Sequence, residues 1–298
     1  MKRWLFVAAL VLAAAGALYY GERHKIPNRV GPEAVVNAVA ETQKDLSHPV
    51  AQVVRLSDAE EIEIGNSIAQ RYIQTGGWND STDAPIEEYV NLVGGKVAAK
   101  AHRRLDYKFH YLPDADFINA FALPGGHIFI GKGIMMLMDS EDELASVLGH
   151  EVEHVDHYDC NERVALEARL RNIPFGDLIH LPIALFQAGY SKEQEMEADR
   201  DGTALAVMSG YSPEGAVRMF QTFARLDREY VQKAQSPQEE LSQVAIKTIE
   251  GYFSSHPQSE DRIHQIQSLI ASEKWPRRKE RPLKLQLAQA KAEAAKDQ

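Results

Sequence analysis

The stretch SEDELASVLGHEVEHVDH, Ser140 to His157, constrains this chain more than any other. Ser140 followed three residues later by Glu143 reads as a capping box, and the acidic cluster behind Ser140 suits a helix N-terminus. Leu144, Val147, Leu148 and Val152 recur at helical spacing, which predicts a mostly buried helix. Within it stands His150-Glu151-Val152-Glu153-His154. At about 100° per residue, positions four apart lie roughly 40° from each other, one turn along the same face. Both imidazoles can therefore reach one cation, while Glu151 projects beside them. Two neutral nitrogen ligands and a carboxylate able to take a proton from water are what a hydrolytic zinc site requires. The competing reading is a solvated acidic helix that happens to carry two histidines.

Such a site needs a third ligand. The metzincin pattern would continue with Gly at 157 and His at 160; this chain has His157 and Cys160, and that reading fails. The other common solution is a glutamate from a second helix. Ser191 to Asp199, SKEQEMEAD, opens with Ser191 and has Gln194 three residues on, again a capping pattern. Glu195 and Asp199 are four apart and share a face, and Ala198 and Gly202 are small enough for close helix packing. Glu195 can be the third ligand, leaving one position open for water. Asp199 can orient a histidine ligand through its second ring nitrogen. Glu193 and Glu197 point elsewhere and read as solvated.

FINAFALPGGHIFIGKGIMMLMDSEDELASVLGHEVEHV, then YSKEQEMEADRDGTALAVMSGYSP, then SSHPQSEDRI, resembles the HtpX- and BepA-like zinc metallopeptidases. These are gluzincins with NAFxxPGG, HExxH, ExxAD and HPxxxxRI in that order, and the resemblance covers about residues 57 to 270. It implies a gluzincin-type metallopeptidase domain with His150, His154 and Glu195 as zinc ligands and Glu151 as catalytic base. It also implies places near the site for His256 and Arg262. The family usually has Arg after the Ser that opens the second helix; Lys192 stands there in this chain, and an ammonium cannot make Arg's bidentate contact.

With 298 residues, 44% hydrophobic and 26% charged, the chain is long enough for one sizeable core. A net charge of −10 argues against nucleic acid or an anionic membrane face as the main partner. The single cysteine, Cys160, allows no internal disulfide and leaves the redox compartment open; it reads as a helix-end residue rather than a ligand. Residues 1–20 read as a signal peptide or membrane anchor, with Lys2 and Arg3 ahead of an apolar run from Trp4 to Leu18. Ala15-Gly16-Ala17 would suit cleavage, and Tyr19 and Tyr20 would suit a membrane interface. No Cys follows the run, which excludes lipoprotein processing. Either way the body is expected in the periplasm or on the outer face of the cytoplasmic membrane. Residues 21–56 read as a spacer, 57–274 as the metallopeptidase domain and 275–298 as a charged, exposed tail.

Inside the domain, Ser57-Asp-Ala-Glu60 caps a helix carrying Ile62, Ile64, Ile68 and Tyr72 and ended by Gly76-Gly77. A second helix is expected from Pro85 to Arg104, with Tyr89, Leu92, Val93 and Val97 inward. YKFHYL, FINAFAL and HIFIG read as short strands, followed by a helix over Ile134–Met138. A small sheet beside a zinc helix can hold an extended substrate as an added strand, which makes Asn119 and the 124–126 turn candidates for a cleft wall. An ordinary hairpin is the alternative. Ile173 to Tyr190, broken by Pro174, Asp177, His180 and Pro182, reads as a loop and helix flanking the cleft rather than a membrane span; His180 reads as structural. Ser212-Pro213 starts a further helix with Val217, Phe220 and Leu226 buried, and a last helix follows Arg262-Ile263. No repeat of thirty-odd residues is present, so the helical-repeat domain of BepA-like proteins is not expected.

The expectation is a predominantly helical α+β domain with a small β-sheet beside the zinc helix, binding one Zn2+ per chain and hydrolysing peptide bonds. Substrates would be polypeptides, and the resemblance suggests misfolded envelope proteins. The membrane would be a partner through residues 1–20 if these stay uncleaved; nucleic acid would not. The alternative is a non-catalytic, chaperone-like factor that binds clients over a closed zinc site, against which the intact base and ligands argue. His256 has two candidate roles, stabilising an oxyanion or gating the fourth zinc position, with a helix-capping histidine as the plain alternative.

Overall fold

The computed structural model describes residues 55–76, 78, 83–233, 256, 260–276 and 278–285. The expected leader at 1–20 and all of the spacer except its last two residues lie outside the described residues. Eight helices and three strands order this part of the chain. They run α1 (Asp58–Gly76), α2 (Ala84–Ala98), β1 (Lys108–Leu112), β2 (Ala120–Leu123), β3 (His127–Gly131), α3 (Lys132–Met135), α4 (Glu141–Asp156), α5 (Asp159–Leu170), α6 (Lys192–Met208), α7 (Glu214–Lys233) and α8 (Glu260–Ser272).

The sheet has the order β1-β3-β2, with β3 parallel to β1 and antiparallel to β2. The central strand is HIFIG, and all five of its residues are buried. Burial on both faces is why that segment is apolar without alternation. Ile128 and Ile130 join Val93 and Val97 of α2 and Leu144, Leu148 and Val152 of α4 in one core. Phe129, stacked on its cross-strand partner Phe121 with ring centroids 5.0 Å apart, faces Ile64 and Ile68 of α1 in a second core. Helix α4 thus packs on the sheet and on α2, α6 and α7, while α2 also packs directly on β1.

Several expected boundaries shift, each for a local reason. The FINAFAL strand begins only at Ala120, because the amides of Phe117 and Ile118 bond back to Asp114 and Asp116 in a turn. The second helix stops at Ala98, where the last amides close short turns. Leu92 is 56% exposed, on the solvent side of that helix, and does not join the core with Tyr89, Val93 and Val97. The expected Ile134–Met138 helix is a single turn over Lys132–Met135. Ile173 to Tyr190 forms two 3-10 turns, Phe175–His180 and Ile183–Leu185, and no α-helix.

The Pro124–Gly126 turn, a candidate for the cleft wall, is buried against α1. Gly125 and Gly126 have φ of 77° and 94°, a region costly for side-chain-bearing residues. A Cβ on Gly65 of α1 would lie 1.8 Å from the Pro124 carbonyl oxygen, so helix and turn meet backbone to backbone. Asn119 is buried as well, its Oδ1 accepting from the Ala120 amide at 2.9 Å.

Residues 278–285, which composition places in an exposed tail, lie across the N-terminus of α4. Ser140 and Pro282 form a β-bridge, the Glu141 amide donates to the Arg281 carbonyl at 2.9 Å, and Leu285 is buried in the main core. The acidic first turn of α4 explains the attachment, since Asp142 accepts from the amides of both Arg281 and Ser212.

Candidate metal centre

Both helices that carry the motif residues start at complete capping boxes, Ser140 with Glu143 and Ser191 with Gln194. Capping fixes where each helix begins and hence which residues face the partner helix. The two helices pack directly on each other. At their contact stand His150, His154, Glu195 and His256, with one ligand-capable atom from each within 4.8 Å of all the others. His150 Nε2 is 3.1 Å from His154 Nε2 and 3.4 Å from Glu195 Oε2. His154 Nε2 is 3.6 Å from Glu195 Oε1, and His256 Nδ1 is 3.2 Å from His150 Nε2. Glu151 is buried beside the cluster, its Oε1 3.6 Å from His256 Nε2.

A carboxylate holds the far side of each motif histidine. Asp199 Oδ1 lies 2.9 Å from His150 Nδ1, and Asp159 Oδ2 lies 2.8 Å from His154 Nδ1. Carboxylates accept only, so each ring keeps a proton on Nδ1 and turns Nε2 inward, where the neutral ring offers a lone pair. Two lone pairs facing each other at 3.1 Å repel unless positive charge lies between them. Glu195 Oε1, buried with no hydrogen-bond partner, turns toward the same place. Nitrogen, nitrogen and carboxylate donors converging in this way fit a divalent metal of the zinc class.

The carboxylates around the site favour positive charge within it, whether carried by a metal ion or by a ring proton. Burial disfavours charge on His150, but the Asp199 and Glu195 carboxylates outweigh it and raise its pKa to about 10. Burial wins at His154, whose pKa falls. Burial likewise works against ionised Glu195 and Asp199, yet the cations around them hold both below the usual carboxylate range. Arg262 is the main fixed cation for this purpose. Its guanidinium, itself buried, donates to Asp199 at 2.5 and 2.7 Å and lies 3.2 Å from Glu195 Oε2.

The structure therefore brings together His150, Glu151, His154, Glu195, Asp199, His256 and Arg262. Glu193 is exposed and Glu197 half-buried, and neither joins the cluster. Cys160 sits in the first turn of α5, its Sγ 3.2 Å from the Tyr190 hydroxyl, and burial pushes its thiol pKa up. His180 is exposed, 3.4 Å from an Arg71 nitrogen. Lys192 pairs with Asp261 and so links the start of α6 to α8.

Asp159 is the residue that sequence reasoning passes over. It lies five positions beyond His154, past the end of α4, and reaches back because Tyr158 turns the chain with φ of 69°. Its other oxygen accepts from Gln194 Nε2 at 2.7 Å, so the cap of α6 also steadies the support of His154. The Tyr190 ring stacks on His154 at 4.1 Å between centroids.

The Peptidase family M48 model matches residues 85–184 and 175–270. The chain is 31% identical to the Beta-barrel assembly-enhancing protease of Yersinia pestis over 172 residues, 51% of this chain and 35% of that protein. It is 25% identical to Metalloprotease YcaL of Escherichia coli K12 over 286 residues, 89% of this chain and 97% of that one. Mitochondrial metalloendopeptidase OMA1 of Schizosaccharomyces pombe is 27% identical over 62% of this chain and 53% of its own length. The chain thus spans little more than a third of the length of the Yersinia relative. The family match covers well over half of the chain and includes both motif helices, so the chain belongs to peptidase family M48, whose enzyme class is the metalloendopeptidase hydrolase.

Proposed function

We propose that this protein is a zinc-dependent metalloendopeptidase in which His150, His154 and Glu195 hold the metal and Glu151 is the catalytic base. The observation that carries the reading is the pair of Nε2 atoms facing each other at 3.1 Å, each ring held through Nδ1 by its own carboxylate. Zinc, when bound, supplies a Lewis acid that polarises the scissile carbonyl and lowers the pKa of a water molecule. Glu151 takes the proton of the attacking water and passes it to the leaving amine nitrogen. Asp199 and Asp159 hold the ligand rings in one tautomer, and Arg262 keeps Asp199 and Glu195 ionised. His256, standing among the ligand atoms, gates the site and yields to substrate.

The substrates we propose are polypeptides of the cell envelope, with misfolded proteins as the first group to test. Two features support this: the targeting character of residues 1–20 and the name of the Yersinia relative, which refers to β-barrel assembly. The body would then work in the periplasm or on the outer face of the cytoplasmic membrane. Among the described residues no helix is long and apolar enough to cross a membrane. The position of His256 also favours a second reading, a closed form that binds clients without cutting them.

The test pairs metal analysis with peptide cleavage. Wild type should hold one zinc per chain and cut an unfolded polypeptide. Glu151→Gln should keep the zinc and lose roughly 10²–10⁴-fold in rate, since only proton transfer is removed. Cleavage that persists in Glu151→Gln would sink the base assignment.

A further inference from the structure

We propose that the cavity beside Glu151 receives one substrate side chain flanking the scissile bond, and that Ala216, Met219 and Phe223 restrict it to small uncharged residues such as Gly, Ala or Ser. The proposal rests on the peptidase reading above. The cavity measures about 30 Å³ and opens between α4 and α7, with His150 and Glu151 in its lining. By that measure it has room for about two non-hydrogen atoms. Ala216, Met219, Phe220 and Phe223 of α7 give the cavity its apolar lining, and Val147 of α4 adds to it.

This wall is anchored. A Cβ on Gly215, next to Ala216, would lie 2.3 Å from the Asp142 carbonyl oxygen, so α7 starts in backbone contact with the first turn of α4. The Ser212 amide donates to Asp142 Oδ1 at 2.6 Å, and Arg218 reaches Glu143 Oε1 and Ser140 Oγ, each at 3.0 Å. These contacts hold both helices at their starts and fix the spacing of the side chains farther along. Met219 and Phe223 are buried at 3% and 2%, packed into the main core behind the cavity.

Asp199 and Thr203 of the lining are already engaged. Asp199 accepts from Arg262 and faces His150 Nδ1, and the Thr203 hydroxyl donates to the Asp199 carbonyl at 2.6 Å. An anionic side chain would face the carboxylates of Glu151 and Asp199, a cationic one the buried guanidinium of Arg262, and a large apolar one would have to displace α7. A small uncharged one fits. Because Glu151 lines the cavity, its occupant belongs to a residue at the cut bond rather than to a distant one.

The experiment digests a peptide library with the full, zinc-loaded protein and reads the residues on either side of each cut by mass spectrometry. Wild type is expected to favour Gly, Ala or Ser over Leu and Phe at one flanking position, by about 10–200-fold in kcat/KM. Met219→Ala should admit Leu at that position, and Ala216→Val should narrow the preference further. Zinc content and Tm are followed for each variant; if Met219→Ala loses its metal, Phe223→Leu tests the same wall. Equal use of Leu or Phe on both sides of the cut by wild type, or one profile shared by wild type and folded variants, overturns the subsite. Absence of any cleavage by zinc-loaded wild type overturns the peptidase reading as well, an outcome distinct from cleavage without selectivity.

Discussion

Gly149 of α4 and Gly202 of α6 meet backbone to backbone: a Cβ on Gly149 would lie 2.6 Å from the Gly202 carbonyl oxygen, and one on Gly202 would lie 2.6 Å from the His150 amide nitrogen. Each glycine therefore sits where the two motif helices touch, one residue before His150 and three after Asp199. Gly202→Ala should force the helices apart, costing about 1–3 kcal/mol, which corresponds to roughly 2–4 °C of Tm per kcal/mol for a domain of this size. Zinc affinity should fall with it, because Glu195 and Asp199 move with α6. The double variant Gly149→Ala/Gly202→Ala should cost less than the sum of the singles, since both disturb one contact. Calorimetry and competitive zinc titration check this, and an unchanged affinity for Gly202→Ala would mean that the close approach does not set the site.

That contact was legible in the sequence, where Ala198 and Gly202 stand out as small residues on the face of Glu195. The motif helices were legible too, because capping boxes and ligand spacing are local and repeat every turn. Contacts between distant segments were not. Asp159 lies outside its helix period and reaches His154 only through the left-handed turn at Tyr158. Residues 278–285 look like a tail because their partners, the acidic first turn of α4 and the hydroxyl of Tyr89, lie more than a hundred residues away. Leu92 fits the apolar stripe of its helix by spacing but falls beyond the edge of the buried face.

The supports of the two histidines should differ in what else they hold. Glu195→Gln should weaken zinc most, while Glu193→Gln and Glu197→Gln should leave it near wild type. Asp199→Asn and Asp159→Asn should each cost about 10–100-fold in affinity. Asp199→Asn should also lower the stability of the metal-free protein, because it strips the buried Arg262 of its main counter-charge. Asp159→Asn leaves no such cation behind, and Gln194 can still bond to the new amide. Metal-free melting curves separate the two; equal losses for both would remove the special role of Arg262.

His157 predicts a pH dependence. Its Nε2 lies 3.0 Å from Glu153 Oε2 and 3.1 Å from Asp201 Oδ2, bridging α4 to α6. Burial opposes its charge, but Asp201 and Glu153 prevail and raise its pKa to about 10. A pKa raised on folding gives stability that is complete below the unfolded value of about 6.5 and is lost as the pH climbs toward 10. Burial also raises the pKa of Glu153, and His157 only partly reverses this, so the desolvation of Glu153 offsets some of the gain. The net effect of His157→Gln should be a loss of about 1–3 kcal/mol at pH 6–7 that shrinks toward pH 10. Tm measured against pH for both proteins tests it, and parallel curves would remove the imidazolium bridge.

His256 carries the last prediction, and its two active roles have opposite signs. Its Nδ1 lies 3.1 Å from Glu195 Oε2 and 3.2 Å from His150 Nε2, among the ligand atoms, while its Nε2 faces Glu151 at 3.6 Å. A histidine that only stabilised an oxyanion would stand near the carbonyl oxygen without crowding the ligand atoms. One that gates would lie where this one does, holding the site closed until substrate displaces it. Removing a gate raises the fraction of competent protein, by about tenfold for every 1.4 kcal/mol by which the closed form is favoured. His256→Ala should therefore increase kcat/KM on an unfolded polypeptide and increase self-cleavage, while zinc remains bound through His150, His154 and Glu195. A lower rate at unchanged zinc content would assign His256 to the oxyanion instead. Unchanged rate and unchanged zinc content would leave it a structural residue, packed where the loop before α8 meets the ligand helices.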